Sequence, residues 1–181
     1  MKMETIIINT TDICAKGSHP EDILSNLCNN SFFFDEIQCE GMEGFLQSLK
    51  YQDIELQRKV CLMTGNEAQQ HSISDWQKDQ TVWWKGRAIN RQSPEYNQLV
   101  YNAYAEMYLW SARFRDALMS TVGKQLLYDS GKKDSYKTIL TDQEFCKMLT
   151  DLREDKKDEY KRVSYPRLWP NWYGVEEDYI F

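Results

Sequence analysis

A helical repeat between residues 94 and 110 constrains the fold of this chain more than any other feature. Ser93 and Pro94 supply the N-cap and the first helical residue that commonly begin a helix. Apolar side chains then recur with the spacing of one helix face, at Tyr96, Leu99, Val100, Ala103, Tyr104 and Met107. We therefore expect a long helix over residues 94–110 that packs this face against a core.

Three more helices are predicted in the first half of the chain. Residues 42–50 place four apolar side chains on one helix face. Residues 53–64 follow a plausible cap at Asp53 and precede Gly65, which we expect to stop the helix. The tryptophan-rich segment 75–90 is less regular and is also predicted to be helical.

The second half of the chain adds a short helix around Phe114 and a last helix after Thr141. Thr141 and Glu144 match the capping box, in which both side chains satisfy exposed backbone N–H groups. Runs of β-branched and aromatic residues predict a few short strands. These lie at residues 4–9, at residues 125–128 and in a hairpin over 31–39 that turns at Asp35 and Glu36.

Together these elements predict a mainly α, α+β fold: a compact helical domain with a small β component near the N-terminus. We expect this domain to span residues 1–162. Residues 163–181 differ, because they hold six aromatic residues and two prolines. We expect this aromatic tail to pack on the domain or to dock a partner, either a second copy of the chain (a homodimer) or another protein.

The charge balance excludes a broad grip on nucleic acid. The chain of 181 residues has 22 basic and 28 acidic side chains and a net charge of −6, whereas generic phosphate binding needs an excess of basic residues. Its longest apolar runs are too short to cross a membrane, and no signal pattern is visible, so a cytoplasmic location is expected. Neither a metal nor a cofactor is predicted, because paired histidine ligands and glycine-rich cofactor motifs are missing.

The segment 41–50 is the most informative for chemistry. On a helix, Glu43, Gln47 and Lys50 fall within a stripe of about 60° that flanks the apolar face. Residues at such an edge can be held firmly and directed into a cleft, and Gly44 beside Glu43 would permit a close backbone approach. The alternative is an ordinary amphipathic helix with surface charges.

Two other segments are candidate sites. The polar loop from Gly131 to Lys137 offers Asp134 as a second carboxylate with lysines nearby to hold a phosphate; the alternative is a turn with solvated charges. Trp83 and Trp84 are adjacent, so one ring would be available to stack on a base, or both would be packing residues.

Several motifs, taken in order, resemble the YbiA-like (NADAR) family. The motifs L-S-N-L at 24–27 and E-G-F-L-Q-S-L-K at 43–50 are similar to the family's F-S-N-F and E-H-Y-F-Q-A-Q-K. The segments F-R-D-A-L at 114–118, K-D-S-Y at 133–136 and L-T-D-L-R at 149–153 are similar to its L-R-x-x-L, x-D-A-Y and L-M-x-L-R-E. The chain departs from the family at Gly44, where the family has histidine, and after Tyr136, where Lys137 and Thr138 replace a tryptophan and glycine run.

The resemblance implies an N-glycosidase that hydrolyses a ribose–base bond without a cofactor. Family members remove ADP-ribose that toxins attach to guanine, or act on phosphoribosylated intermediates of the riboflavin pathway. By this resemblance the catalytic carboxylates would be Glu43 and Asp134. The substrate-binding residues would be Asn26, Gln47, Lys50, Trp83, Trp84 and Tyr136; Lys137, where the chain departs from the family, is added as a lysine of the loop that would hold a phosphate.

Two other classes stay open at this stage. The first is a module that binds ADP-ribose or a nucleotide, free or on DNA, without cleaving it, which the departures at Gly44 and Lys137 favour. The second is an interaction protein, such as an antitoxin that acts by contact through the aromatic tail. The substrate would be a nucleotide or ADP-ribosyl compound, held by a few placed residues, and no membrane is expected as a partner.

Overall fold

A computed structural model describes residues 4–10 and 19–162 of the chain, with the side chains of residues 161 and 162 excepted. The aromatic tail predicted at 163–181 lies outside the described residues. Within them the strands are β1 (Thr5–Ile7), β2 (Phe32–Phe34), β3 (Ile37–Cys39), β4 (Thr81–Trp84), β5 (Arg87–Asn90) and β6 (Gln125–Leu127). The helices are α1 (Pro20–Ile23), α2 (Met42–Ser48), α3 (Ile54–Cys61), α4 (Gly65–Gln70), α5 (Pro94–Trp110), α6 (Ala112–Met119) and α7 (Asp142–Arg162), with a 3₁₀ turn at Asp75–Gln77.

The mixed α+β class predicted from the sequence is confirmed. Helix α5 has the predicted bounds, and the Ser93 hydroxyl caps it by accepting a hydrogen bond from the Tyr96 N–H at 3.2 Å. Its predicted apolar face is buried apart from Leu99, which is half-buried. Helix α5 contacts α2, α6 and α7, so it organises the core.

The β structure consists of three two-stranded pairs in the described residues. β1 pairs in parallel with β6, and this pairing joins the start of the chain to the segment before α7. β2 and β3 form the predicted hairpin, where Asp35 and Glu36 both take positive φ, as the tight turns of hairpins require. β4 and β5 form a second antiparallel hairpin.

The prediction of a helix over residues 75–90 is wrong, because this segment forms a 3₁₀ turn and the β4–β5 hairpin. Lys85 and Gly86 both have positive φ, which closes a two-residue hairpin turn. Along β4 the side chains alternate, with Val82 and Trp84 buried. Aromatic and β-branched residues favour such a half-buried strand. The strand is only four residues long, so its alternation of buried and exposed side chains does not stand out in the sequence.

The helix predicted over 53–64 is shorter, at Ile54–Cys61 (α3), and a second helix that was not predicted, α4, follows it. Asp53 caps α3 as predicted, since its Oδ1 accepts a hydrogen bond from the Leu56 N–H at 2.7 Å. Helix α3 ends at Cys61, however, and Gly65 begins α4 instead of stopping the previous helix. A side chain at Gly65 would lie 2.4 Å from the Leu27 carbonyl oxygen, so the close approach of this backbone requires glycine.

Candidate functional site

Helix α2 is buried on every side and places Glu43 and Gln47 in the interior. The helix ends at Ser48 and not at residue 50 as predicted, so Lys50 follows in the turn after it. Glu43, Gln47 and Lys50, called here the α2 row, are 4%, 4% and 9% exposed. The apolar face of the helix packs into the core through Met42, Phe45, Leu46 and Leu49. The sequence predicts these residues at the edge of that apolar face. In the structure, neighbouring elements enclose this edge.

Gly44 lets α2 approach the end of α3 closely. A Cβ atom at this position would lie 2.9 Å from the Cys61 carbonyl oxygen and 3.0 Å from that of Val60. These are backbone atoms, so a side chain here would force the two helices apart. The departure from the histidine of the YbiA-like motif is therefore explained by packing.

Glu43 is held through both its backbone and its side chain. The Gln47 amide N–H donates to Glu43 Oε1 at 2.8 Å, and the Glu43 N–H donates to the Asn26 carbonyl oxygen at 3.2 Å. The side chain of Asn26 accepts a hydrogen bond from the Tyr104 hydroxyl at 2.7 Å. Burial, aided by the negative charge of Glu43, raises the pKa of Tyr104 well above its ordinary value, so the hydroxyl remains a donor.

The side-chain carbonyl of Gln47 has no hydrogen-bond partner. Among the described residues, its Oε1 is the one buried side-chain nitrogen or oxygen atom that lacks a hydrogen-bond partner. The amide N–H is already directed to Glu43, which fixes the carbonyl as an acceptor. Because an unpaired buried acceptor is costly, a donor group that reached this oxygen would be bound favourably, although the atom itself is shielded from solvent.

Lys50 carries a buried charge beside a neutral partner. Its Nζ donates to the Ser72 hydroxyl at 2.6 Å. Burial lowers the pKa of Lys50 to about 8, the negative charge of Glu43 partly opposes this, and the positive charge of Lys132 adds to it. An anionic ligand group near Lys50 would relieve this unfavourable environment.

A cavity of about 690 Å³ opens beside the α2 row. Gln47 and Lys50 line one wall, Ser72 lies between α4 and the 3₁₀ turn, Asp75 begins that turn, and residues 131–134 and 137–139 form the opposite wall. Four lysines line it: Lys50, Lys132, Lys133 and Lys137. The cavity therefore combines a buried carboxamide with a concentration of positive charge in an acidic chain.

The opposite wall belongs to residues 131–138, called here the lysine loop, which brings Asp134 to the same cavity as Gln47 and Lys50. Asp134 Oδ1 accepts a hydrogen bond from the Tyr136 N–H at 2.9 Å, and its Oδ2 lies 3.9 Å from Lys137 Nζ. The carboxylate is partly exposed, in contrast to the buried Glu43.

Three glutamines outside the predicted site residues hold the lysine loop. The amides of Gln77, Gln80 and Gln92 donate to the carbonyl oxygens of Lys137, Tyr136 and Ser135 at 2.7, 3.0 and 3.0 Å. The sequence signal for them is weak, because glutamines on a polar stretch usually contact solvent. Their role depends on the β4–β5 hairpin, in a segment whose sequence pattern predicts a helix.

Arg91 also supports the lysine loop, and the sequence analysis did not predict this role. It is 1% exposed, pairs with both carboxylate oxygens of Glu144 at 3.1 and 2.6 Å, and donates through Nε to the Thr138 carbonyl at 3.2 Å. Its guanidinium also lies 4.5 Å from the centre of the Tyr96 ring. Glu144 completes the predicted capping box as well, so one carboxylate ties the loop to the start of α7.

The remaining predicted residues lie elsewhere. Trp84 is 5% exposed and packs against Phe34 and Phe45, and its indole N–H donates to Asp35 at 2.8 Å. Trp83 is half-buried on the same strand, and Tyr136 is exposed. None of these three side chains is among those that line the cavity, so the structure does not bring them together with Gln47 and Lys50. Glu43 and Asn26 do not line the cavity either, and Glu43 lies behind it as the hydrogen-bond partner of Gln47.

No group of three or more His, Cys, Asp or Glu side chains is arranged to hold a metal ion in the part of the chain that the structure describes. Among the same residues, none of the helices combines the length and hydrophobicity that crossing a bilayer requires.

Comparison with known proteins identifies a similar fold and the family of this chain. The NMR structure of the E. coli protein YbiA has a similar fold, with a TM-score of 0.58 over 93% of this chain and 92% of that chain at 13% identity. The YbiA-like fold expected from the motifs is thereby confirmed. An uncharacterized 17.1 kDa protein of Enterobacteria phage T4, from the Gp30–rIII intergenic region, is 39% identical over 140 residues, which cover 75% of this chain and 91% of the T4 protein. The bacteriophage protein GP30.3 family matches residues 18–154, and the chain belongs to that family.

Proposed function

We propose that this protein is an N-glycosidase that hydrolyses a ribose–base bond and releases ADP-ribose from ADP-ribosylated guanine. The observation that carries the proposal is the α2 row beside a lysine-lined cavity. A buried carboxylate and a carboxamide acceptor without a partner lie on one edge of α2, and a buried lysine follows in the turn after the helix. These groups suit a ligand that combines a sugar, a base with N–H donors and phosphates.

The carboxylate of Glu43 is the group best suited to assist bond cleavage. Breaking a ribose–nitrogen bond develops positive charge on the sugar, and a fixed carboxylate stabilises such a transition state. Gln47 and the backbone of Asn26 hold Glu43 in place, so little reorganisation is needed during the reaction. In this proposal Asn26 positions Glu43, and Gln47 contacts both Glu43 and the substrate.

Asp134 is the proposed second carboxylate. It lines the cavity together with Gln47, the hydrogen-bond partner of Glu43, and its partial exposure keeps it in contact with water. A carboxyl group in this place can activate the attacking water or protonate the leaving nitrogen. The lysines of the cavity would hold the phosphates, which is compatible with a net charge of −6 because the positive charge is local.

A second candidate follows from the same cavity. Its lysines would also hold the single phosphate of a phosphoribosylated intermediate of the riboflavin pathway. A third candidate is a protein that binds the ADP-ribosyl group without cleaving it. It is favoured by the partly solvated carboxylate of Asp134, which already accepts a hydrogen bond from the loop backbone.

A release assay tests these candidates together. The full chain is incubated with ADP-ribosylated guanosine and, separately, with a phosphoribosylated pyrimidine of the riboflavin pathway, and the released products are measured by chromatography. We expect free ADP-ribose from the first compound, and Glu43→Gln should abolish its release. Glu55→Gln, on the exposed surface of α3, is the matched control.

Three results would contradict the proposal or part of it. Tight binding of the first compound without release would favour the binding protein. Release from the second compound alone would favour the pathway hydrolase. Wild-type release by Glu43→Gln would remove Glu43 from the catalytic role.

A further inference from the structure

A second cavity, of about 490 Å³, lies between β6 and the start of α7. It shares Lys132 and Lys133 with the first cavity, and its other walls come from the segments 126–129 and 142–146. Both volumes fall in the range of about 300–1,000 Å³ that is typical of small-molecule sites. The chemistry proposed for the first cavity leaves this second one without a role.

The walls of the second cavity suit a flat heterocyclic ring. Leu126, Leu127 and Cys146 supply apolar surface, and Tyr128 supplies an aromatic ring. The Tyr128 ring is fixed, because it packs edge-on against Phe145 with ring centres 4.9 Å apart. The carboxylate of Asp129 and the amide of Gln143 add polar groups at the sides. Apolar walls with a few polar groups are the usual composition of a small-molecule pocket, and a nucleobase, which is flat with polar edges, fits such walls.

The segment that divides the two cavities is firmly held. The Asp142 carboxylate, itself buried, accepts hydrogen bonds from the Ser130 N–H at 3.0 Å, the Ser130 hydroxyl at 2.6 Å and the Lys132 N–H at 3.1 Å. The Asp142 N–H in turn donates to the Lys132 carbonyl at 2.9 Å. The backbone of Lys132 is therefore fixed on the ridge between the cavities.

The lysines on this ridge are poorly neutralised. Among the described residues, no carboxylate forms an ion pair with Lys132, and Lys133 has only the exposed Asp129 at 3.9 Å. Lys132 also lies near enough to Lys50 for its charge to lower the pKa of Lys50. Two such cations that line one cavity favour an anion between them.

We propose that the second cavity binds the adenine end of a ligand whose phosphates lie over Lys132 and Lys133 and whose far ribose lies in the first cavity. This inference rests on the proposed function and extends it, because it gives each half of an ADP-ribosyl group its own cavity. A ligand with one phosphate and one sugar would fill the first cavity alone.

Calorimetric titration of the full chain with ADP-ribose and with ribose 5-phosphate tests the assignment. We expect ADP-ribose to bind at least about tenfold more tightly, since it adds a buried ring and a second phosphate. Cys146→Trp fills the second cavity and should remove this difference while the affinity for ribose 5-phosphate stays unchanged. Gln143→Trp, at an exposed position on the same wall, is a second variant that leaves the core intact.

Lys147→Trp is the matched control, because Lys147 is exposed on α7 and does not line the cavity. It should keep the wild-type preference, and thermal melting should show that all three variants are folded. Equal affinity of the wild type for both compounds, or no binding of ADP-ribose, would overturn the assignment. So would an unchanged preference in folded Cys146→Trp and Gln143→Trp.

The release assay separates this inference from the proposed function. A preference for ADP-ribose that the filled variants lose, without any cleavage of the guanosine compound, would support the second cavity and contradict the glycosidase. Cleavage of ADP-ribosylated and phosphoribosylated guanosine with equal kcat/KM would support the glycosidase and contradict the second cavity.

Discussion

Gln47 and Lys50 of the α2 row and the lysine loop line one cavity but are held in different ways. Glu43 and Gln47 sit on a buried helix and are each 4% exposed. The loop is a polar segment on the surface whose backbone is bound by the amides of three glutamines. The core therefore fixes one side of the cavity, and surface hydrogen bonds fix the other.

This difference indicates a division of roles. A carboxylate in a buried, hydrogen-bonded environment needs little reorganisation to act on charge in a transition state. Asp134 and Lys137, on the exposed loop, can exchange water and follow a ligand. We expect substitutions in the row to affect catalysis or stability strongly, and substitutions in the loop to have smaller effects, mainly on binding.

The largest effect is expected for Glu43→Gln compared with Asp134→Asn. Loss of the fixed charge should lower kcat for ADP-ribose release by about 10³-fold, as for other lost transition-state contacts. Asp134→Asn should cost about 10- to 100-fold, in the range of a general acid or base. Steady-state kinetics measure both, with Glu55→Gln as the control. A larger loss for Asp134→Asn would reverse the roles of the two carboxylates.

Gly44→Ala should be the most damaging substitution for the fold of the row. The added methyl group would meet the carbonyl oxygens of Cys61 and Val60 at 2.9 and 3.0 Å, so α2 must move from α3. We expect a loss of about 2 kcal/mol in the free energy of unfolding, although alanine favours helices over glycine by about 1 kcal/mol. Urea denaturation measures it. Lys59→Ala, at an exposed position on α3, is the control, and a Gly44→Ala variant of wild-type stability would show that the contact is not tight.

Lys50→Met should stabilise the fold while weakening ligand binding. The pKa of Lys50 falls from its ordinary value of 10.5 to about 8 in the folded chain, so the folded state binds fewer protons between these values and stability rises with pH across that window. Removing the buried charge should raise the free energy of unfolding at pH 7 by roughly 1–2 kcal/mol, after the lost attraction to Glu43 is included.

Denaturation at pH 7 and pH 10 checks this expectation. The gain should shrink towards pH 10, where the wild-type lysine is neutral in the folded chain. Lys59→Met is the control at an exposed position. A gain that is the same at both pH values would show that the charge of Lys50 is not the cause.

The smallest effect is expected for Gln92→Ala, which removes one of the glutamines that hold the lysine loop. The amide of Gln92 donates to the Ser135 carbonyl at 3.0 Å and its Oε1 accepts from the Ser135 hydroxyl at 3.1 Å. Because these bonds are exposed, their loss should change stability by less than about 1 kcal/mol. We expect KM to rise about threefold with kcat unchanged. Gln98→Ala on α5, where the Gln98 amide donates to the Asn102 side chain, is the control, and a fall in kcat alone would contradict the role.

The elements with strong local signals were predictable from sequence. The N-cap at Ser93, the capping box at Thr141 and the repeat over 94–110 act within a few residues, so they survive in the fold. The β4–β5 hairpin was not predictable, because its strands are four residues long and the burial of Val82 and Trp84 follows from tertiary contacts. Trp84 shows the same limit at the level of a side chain: adjacent tryptophans look alike in sequence, and packing on Phe34 and Phe45 assigns this one to the core.

The sequence by itself determined that Glu43 and Gln47 share one helix edge, since helical spacing depends only on the order of residues. It also determined that Asp134 lies in a polar loop between a strand and a capped helix. Only the tertiary structure decided that α2 ends before Lys50, that Gln47, Lys50 and the loop line one cavity, that the buried Oε1 of Gln47 stays unpaired and that Lys132 joins this cavity to a second one. The physical reason is distance along the chain: contacts between α2 and residues some 80 positions later depend on how the whole core packs, and no local pattern encodes them.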